Sequence, residues 1–228
     1  MVLTDKIQVK NSDFSQVRQK KIKEIFSCFP LYGITASQYY PNGNIALVQT
    51  MIQHGFRVIQ YRDKTLSRSK KKKELKEISE ITRRAGTVLI INDHVDLCIE
   101  FDADGVHLGQ EDMPVEEARA LLGEEKVIGL STHTPEQGSN AVQTSADYIG
   151  VGPIYPSITK PNEPAAGLDY ARFAATSLSI PMVGLGGITE KNCPEVRSLG
   201  ITTICIINDL LSTEKLENKI TNIKKIFS

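Results

Sequence analysis

The sequence predicts an α/β chain folded as one (β/α)8 TIM barrel with an extra N-terminal helix, and three observations carry that prediction. Eight apolar runs of strand type are each followed by a helical pattern, as alternating strand and helix require. The length of 228 residues suits a barrel, which commonly runs to ~250 residues as one unit. Runs two to eight all end in polar or glycine clusters. An open doubly wound sheet concentrates chemistry at one switch point, whereas a barrel builds its site around the whole C-terminal rim.

In chain order, residues 1–29 form an extension and residues 30–228 the barrel, with no second domain. Within the extension, Phe14, Val17, Ile22, Ile25 and Phe26 lie among charges and predict an amphipathic helix from Phe14 to Phe26 across one end of the fold. Strands are expected at Leu31–Thr35, Arg57–Tyr61, Val88–Ile91, Gly105–Leu108, Val127–Leu130, Tyr148–Val151, Met182–Leu185 and Thr203–Ile206. They are short and apolar with turn residues at their edges, as strands buried on both faces should be. Helix starts are expected at Ser67, at Pro114 in a first turn, at Thr134-Pro135-Glu136 with a capping threonine, and at Thr189. The run Lys70-Lys71-Lys72-Lys73 reads as a solvated helix face.

Charge and cysteine content narrow the function. With 27 basic and 27 acidic residues the formal charge is zero, which argues against a nucleic-acid surface and a polybasic membrane anchor. Cys28, Cys98, Cys193 and Cys205 have no C-x-x-C spacing, so neither a zinc knuckle nor a disulfide framework is expected. The first residues do not run from a basic segment into an apolar one, and no apolar stretch approaches the ~20 residues needed to span a bilayer. A soluble cytoplasmic protein is the expectation, with no nucleic-acid or membrane partner; a homo-oligomer stays compatible with the sequence.

The polar clusters carry the chemistry. Strand side chains alternate with period two, so Gln60, Arg62 and Lys64 share one face, and Tyr61 and Asp63 the other. Two cations and an amide converging in a barrel mouth favour a phosphate or pyrophosphate over a surface ion pair, because buried cations need an anion. Asn92-Asp93 ends one strand and Asp112 follows the next. Spacing alone allows Asp93 and Asp112 to be helix caps or metal ligands; the neighbouring cations favour the metal. His107 reads as a hydrogen-bonded core residue, whereas His133, beside Ser131 and Thr132, is open to acid–base work or to satisfying a loop carbonyl. The stiff loop carrying Ser157, Ile158, Thr159 and Lys160 has the hydroxyls and ammonium of an anion clamp. Gly184-Leu185-Gly186-Gly187 and Ile207-Asn208 fall after strands seven and eight, the recurrent phosphate position of this barrel.

In order, Leu31-Tyr32-Gly33-Ile34-Thr35, Gln60 to Lys64, Ile91-Asn92-Asp93, Ala103 to Asp112, Gly129 to His133, Asp147 to Lys160 and Gly186-Gly187-Ile188 resemble the thiamine-phosphate synthase family. The resemblance implies a Mg2+-dependent transferase that joins hydroxymethylpyrimidine diphosphate to hydroxyethylthiazole phosphate and releases pyrophosphate by dissociative displacement. It implies that Gln60, Arg62, Lys64, Asn92, Ser131 and Lys160 hold the pyrimidine diphosphate, with Arg62, Lys64, Ser131 and Lys160 catalytic, and that Asp93 and Asp112 bind Mg2+. It further implies that Ser157, Thr159, Gly187, Ile207 and Asn208 hold the thiazole phosphate, with Tyr61, Asp63, His133 and Ile158 in the substrate set. Departures from the pattern are Tyr61, Asp63 and Ser157, which look harmless, and Asn208-Asp209 in place of a small pair. Asp209 would repel a phosphate unless its carboxylate turns outward. A related barrel family that isomerises the thiazole phosphate, and a non-catalytic thiamine-precursor binding protein, are the alternatives; Arg62, Asn92, Asp93, Asp112 and Lys160 favour the synthase.

Overall fold

Parallel strands at Gly33–Ile34 (β1), Val58–Tyr61 (β2), Val88–Asn92 (β3), Gly105–Leu108 (β4), Val127–Thr132 (β5), Tyr148–Val151 (β6) and Met182–Gly184 (β7) pair in sequence order. The structure is a computed structural model and describes residues 16–27, 29–156, 164–211 and 216–228. Helices alternate with the strands: α1 (Gln16–Ser27), α2 (Gly43–Gln53), α3 (Arg68–Ala85), α4 (Val95–Glu100), α5 (Val115–Leu122), α6 (Pro135–Val142), α7 (Gly167–Ser177), α8 (Cys193–Ser198), α9 (Asn208–Leu211) and α10 (Leu216–Phe227).

The expected eighth strand, Thr203–Ile206, does not form a ladder; Ile204 makes single parallel bridges to Leu31 and Gly184. Those bridges still close the ring. Ile204 N–H donates to Pro30 O (2.8 Å) and Tyr32 N–H to Ile204 O (2.9 Å), while Gly184 N–H donates to Thr203 O (2.9 Å) and Cys205 N–H to Gly184 O (2.8 Å). Backbone groups on both sides of the segment are thus paired, and a closed ring leaves no open edge between β7 and β1.

Two apolar layers follow from the period-two alternation. Ile59, Leu89, Val106, Ile128 and Ile149 point outward and pack under the helices. Val58, Val88, Ile90, Val127, Tyr148 and Val183 point inward, and Ile22, Ile25 and Phe26 of α1 complete this inner cluster. The helix at the barrel end is therefore present from Gln16, Phe14 lying outside the described residues, with one correction: Val17, expected on its apolar face, is 43% exposed, and Arg18 is buried instead. Arg18 shares a face with Ile22, Ile25 and Phe26 at helical spacing, and its charge lies against Asp147 and Glu124.

Thr134 caps α6 as expected, accepting from Gln137 N–H (3.3 Å). The helix expected at Thr189 begins instead at Cys193, because Asn192 Oδ1 accepts from Thr189 N–H (2.7 Å) and folds residues 189–192 into a side-chain-closed turn. Lys72 reaches Glu100 (2.7 Å) across the α3–α4 surface. No helix among the described residues is long and apolar enough to cross a membrane.

Candidate active site

The C-terminal ends of the strands enclose a cavity of about 890 Å³. Because Val58, Val88 and Val127 face the barrel axis, residues an even number of positions along must do so too, which turns Gln60, Asn92 and Ser131 inward. These three line the cavity together with Arg62, Lys64, Asp93, Asp112 and His133. Gly187, Ile207 and Asn208 line its other arc.

Two residues of the substrate set implied by the resemblance are elsewhere. Tyr61 is buried under α3 and its hydroxyl donates to Glu74 Oε2 (2.7 Å). Asp63 is also buried on the outer side, where its carboxylate accepts from Ser37 Oγ (2.7 Å), Asn44 Nδ2 (3.1 Å), and the N–H groups of Thr65 and Leu66 (2.8 Å each). The strand alternation separates both from the cavity. Ser157, Ile158, Thr159 and Lys160 lie outside the described residues.

The electrostatic centre is Asp93, which follows β3 with φ of 64°, a left-handed conformation uncommon for a residue with a side chain. Burial first, and then the neighbouring Asp112 carboxylate, push its carboxyl above the usual range, while Lys64 and Arg62 oppose the shift. Asp112 also accepts from Gly109 N–H (2.6 Å). Neither Arg62 nor Lys64 forms an ion pair within 4.0 Å among the described residues, so two cations face the cavity beside two close carboxylates. Among the described residues no third histidine, cysteine or acidic side chain joins this pair in a metal-type cluster.

A buried hydrogen-bond chain crosses the cavity floor. Gln60 Nε2 donates to the Tyr32 hydroxyl (3.1 Å), which lies 2.7 Å from the Tyr148 hydroxyl; that hydroxyl is 3.0 Å from His107 Nδ1, and His107 Nε2 is 2.9 Å from Ser131 Oγ. Tyr32 accepts from the Gln60 amide, and each later link joins two groups that can both donate and accept. The chain ends at Ser131 Oγ, on the cavity wall. Burial pushes both phenols far above their ordinary values, so both stay protonated. Gly129 makes the crossing feasible: a Cβ there would lie 2.2 Å from Tyr148 Cζ and 2.4 Å from His107 Nδ1. The sequence hides this chain, because a tyrosine in an apolar run looks like core; its signal is that His107 and Tyr148 occupy inward positions of their strands.

Two further groups are constrained. His133 lines the cavity, and its Nδ1–H donates to the Gly152 carbonyl. Cys205 lines the cavity, but burial pushes its thiol up to about 12, too high for a nucleophile.

On the other arc, Gly186 (φ 90°) and Gly187 (φ 62°) bring bare backbone to the cavity wall. Asn192 Nδ2 donates to Gly187 O (3.1 Å) and steadies this loop. Asp209 lines the same arc, with Oδ1 accepting from Lys219 Nζ (2.7 Å) and Oδ2 from Glu190 N–H (3.0 Å).

Comparison with known proteins places this geometry. Residues 31–210 match the thiamine monophosphate synthase family. The chain is 44% identical over 200 residues to a thiamine-phosphate synthase of Caldicellulosiruptor saccharolyticus, covering 86% of this chain and 90% of that one. It is 44% identical over 201 residues to the thiamine-phosphate synthase of Pelotomaculum thermopropionicum, covering 87% and 92%. A solved thiamine phosphate pyrophosphorylase from Pyrococcus furiosus superimposes with a TM-score of 0.78 at 29% identity, covering 90% of this chain and 96% of that one.

Proposed function

Since the chain belongs to the thiamine monophosphate synthase family and is a transferase of that kind, we propose that it joins hydroxymethylpyrimidine diphosphate to hydroxyethylthiazole phosphate in the cytoplasm, giving thiamine phosphate and pyrophosphate. The observation that carries this reading is the meeting of Arg62 and Lys64 with the Asp93–Asp112 pair on one arc of a cavity whose other arc is the Gly186-Gly187 loop. The first arc suits a diphosphate, the second a phosphate monoester held by the loops after strands seven and eight.

The bond from the pyrimidine methylene carbon to the diphosphate oxygen breaks first, its electron pair leaving with pyrophosphate. The aminopyrimidine ring carries the positive charge until the thiazole nitrogen donates its electron pair to the methylene carbon. Arg62 and Lys64 stabilise the charge gathering on the leaving group, the usual largest contribution in such reactions. Ser131 donates its hydroxyl proton to the diphosphate, Asn92 adds amide donors, and Gln60 presents the pyrimidine. Ile34, Val183 and Leu185 line the cavity as an apolar wall and keep water from capturing the cation. Gly187, Ile207 and Asn208 hold the thiazole phosphate. The resemblance adds Ser157, Ile158, Thr159 and Lys160 to the set; Tyr61 and Asp63 leave it because they face the helices.

Two carboxylates completed by phosphate and water oxygens are a usual Mg2+ donor set, so Asp93 and Asp112 fit the ion and would hold it. When bound, it supplies positive charge to the diphosphate oxygens.

The test is pyrophosphate release measured with each substrate alone and with both. Release that needs both supports the reading; no release with both, or equal release without the thiazole, removes it. Asp93→Ala with a wild-type rate in excess Mg2+ would remove the metal assignment alone.

A further inference from the structure

An anion site should avoid a carboxylate on its wall, yet Asp209 lines the arc of the cavity that includes Gly187 and Asn208. The side chain is only 27% exposed, so water screens its charge incompletely. Its surroundings resolve the conflict. Lys219 Nζ donates to Asp209 Oδ1 at 2.7 Å and also to the Asp209 carbonyl at 2.8 Å, and the N–H of Glu190 donates to Oδ2 at 3.0 Å. One turn further along α10, Asn222 Nδ2 donates to Glu190 Oε1 at 2.8 Å. Residues 219 and 222 stand on one face of the helix, so α10 grips both loops that form this arc.

We infer that Lys219 is a positioning residue of the phosphate-holding arc: it neutralises Asp209 and ties that carboxylate to α10, which lets the Gly187 and Asn208 backbone receive a phosphate monoester. Lys219 touches neither substrate. Its effect acts through Asp209, and a lysine that merely anchored α10 would not depend on the charge at position 209. The inference rests on the function proposed above, for which this arc takes the thiazole phosphate. An uncompensated carboxylate facing a dianion across a few ångströms weakens binding by about tenfold or more at the effective dielectric of a protein surface.

The experiment compares the wild type, Lys219→Met and the double variant Asp209→Asn/Lys219→Met in steady-state kinetics with both substrates, and titrates each protein with inorganic phosphate by calorimetry. Lys219→Met should raise KM for the thiazole phosphate at least tenfold, with kcat and KM for the pyrimidine diphosphate within twofold, and should weaken phosphate binding in parallel. The double variant should recover most of the loss in both readouts. An unchanged KM in Lys219→Met, or a double variant no better than the single one, overturns the inference, the second result assigning Lys219 to helix anchoring. If the wild type binds phosphate and Lys219→Met loses it without any turnover in either, the proposed reaction fails while the role of Lys219 stands. Wild-type turnover with phosphate binding indifferent to Lys219 has the opposite meaning, and wild-type protein that takes up no phosphate at millimolar concentration overturns the inference outright.

Discussion

Replacing Tyr148 by phenylalanine deletes one oxygen from the middle of the cavity floor and leaves the ring in place. The ring is fully buried, and its contacts with Phe26 (5.6 Å between centroids), Tyr32 (6.0 Å) and His107 (5.4 Å) survive the exchange. What is lost is the hydroxyl that joins Tyr32 (2.7 Å) to His107 Nδ1 (3.0 Å). Tyr32 keeps Gln60 and His107 keeps Ser131, so each of these two buried groups loses one hydrogen-bond partner. At about 1–3 kcal/mol for a buried polar group that loses its partner, Tyr148→Phe should cost roughly 2–3 kcal/mol. For a chain of this size each kcal/mol lowers Tm by about 2–4 °C, which predicts a fall of roughly 4–12 °C. Thermal unfolding by circular dichroism reads that number. Pyrophosphate release reads the other half, since His107 loses one of the two side-chain contacts that hold its ring against Ser131, and kcat/KM should drop about tenfold. In a Ser131→Ala background the same exchange should cost almost nothing more in rate, because the two act in series. Wild-type Tm in Tyr148→Phe, or rate losses of the two substitutions that multiply, would refute the relay.

Asp63 supplies a pH-dependent test. Burial pushes its carboxyl up, but hydrogen bonds from Ser37, the N–H groups of Leu66 and Thr65, and Asn44 outweigh burial and hold it well below the usual carboxylate range. A depressed folded value means stabilisation that is present above the unfolded value of about 4 and lost as pH falls below it. Asp63→Asn should therefore be clearly less stable than wild type at pH 7, with the difference shrinking below pH 4 in urea titrations; a gap independent of pH contradicts this account. Gly186→Ala tests the rim loop: a Cβ would sit 2.3 Å from Pro153 Cβ and 2.4 Å from Pro153 Cα at a φ of 90°. Only backbone movement relieves that contact, so a loss of about 2 kcal/mol or more and a raised KM for the thiazole phosphate are expected, and an unaltered melting curve would contradict the geometry.

Strands β2 to β7 were legible because a strand buried on both faces leaves a short apolar run between turn residues. The same alternation puts Gln60, Arg62 and Lys64 on one face and Tyr61 and Asp63 on the other, and the structure follows it against the substrate set that included all five. The closure at Ile204 was harder to read: a segment held by single bridges has no more apolar length than a loop needs. Helical spacing alone puts Arg18 rather than Val17 on the face of Ile22, Ile25 and Phe26, but an arginine is expected there only if a buried carboxylate meets it, and that partner, Asp147, lies far along the chain. The floor relay was hidden for the same reason, with Tyr32 and Tyr148 separated by 116 positions. Asp209 threatens a phosphate on sequence grounds because a carboxylate is visible there, whereas the lysine ten residues later that engages it does not stand out among many.

The N-terminal helix and the cavity floor are connected through two adjacent residues. Asp147 is fully buried at the opposite end of the barrel, where Arg119 Nη2 donates to it at 2.8 Å, Ile128 N–H at 2.8 Å, and Arg18 Nε lies at 3.5 Å. Burial pushes its carboxyl up while Arg119, the Ile128 N–H and Arg18 pull it down, and the upward push prevails. Such a cluster adds little net stability, because the cost of removing three charges from water offsets their attraction, but it penalises any other docking of α1 heavily. The next residue, Tyr148, points into the barrel, where Phe26 of the same helix lies against its ring. Fixing α1 by Arg18 therefore fixes Phe26, and Phe26 with Gly129 leaves the Tyr148 ring one position from which its hydroxyl reaches both Tyr32 and His107. The extension that precedes the barrel in the sequence is in physical terms the lower wall of the chain that ends at Ser131.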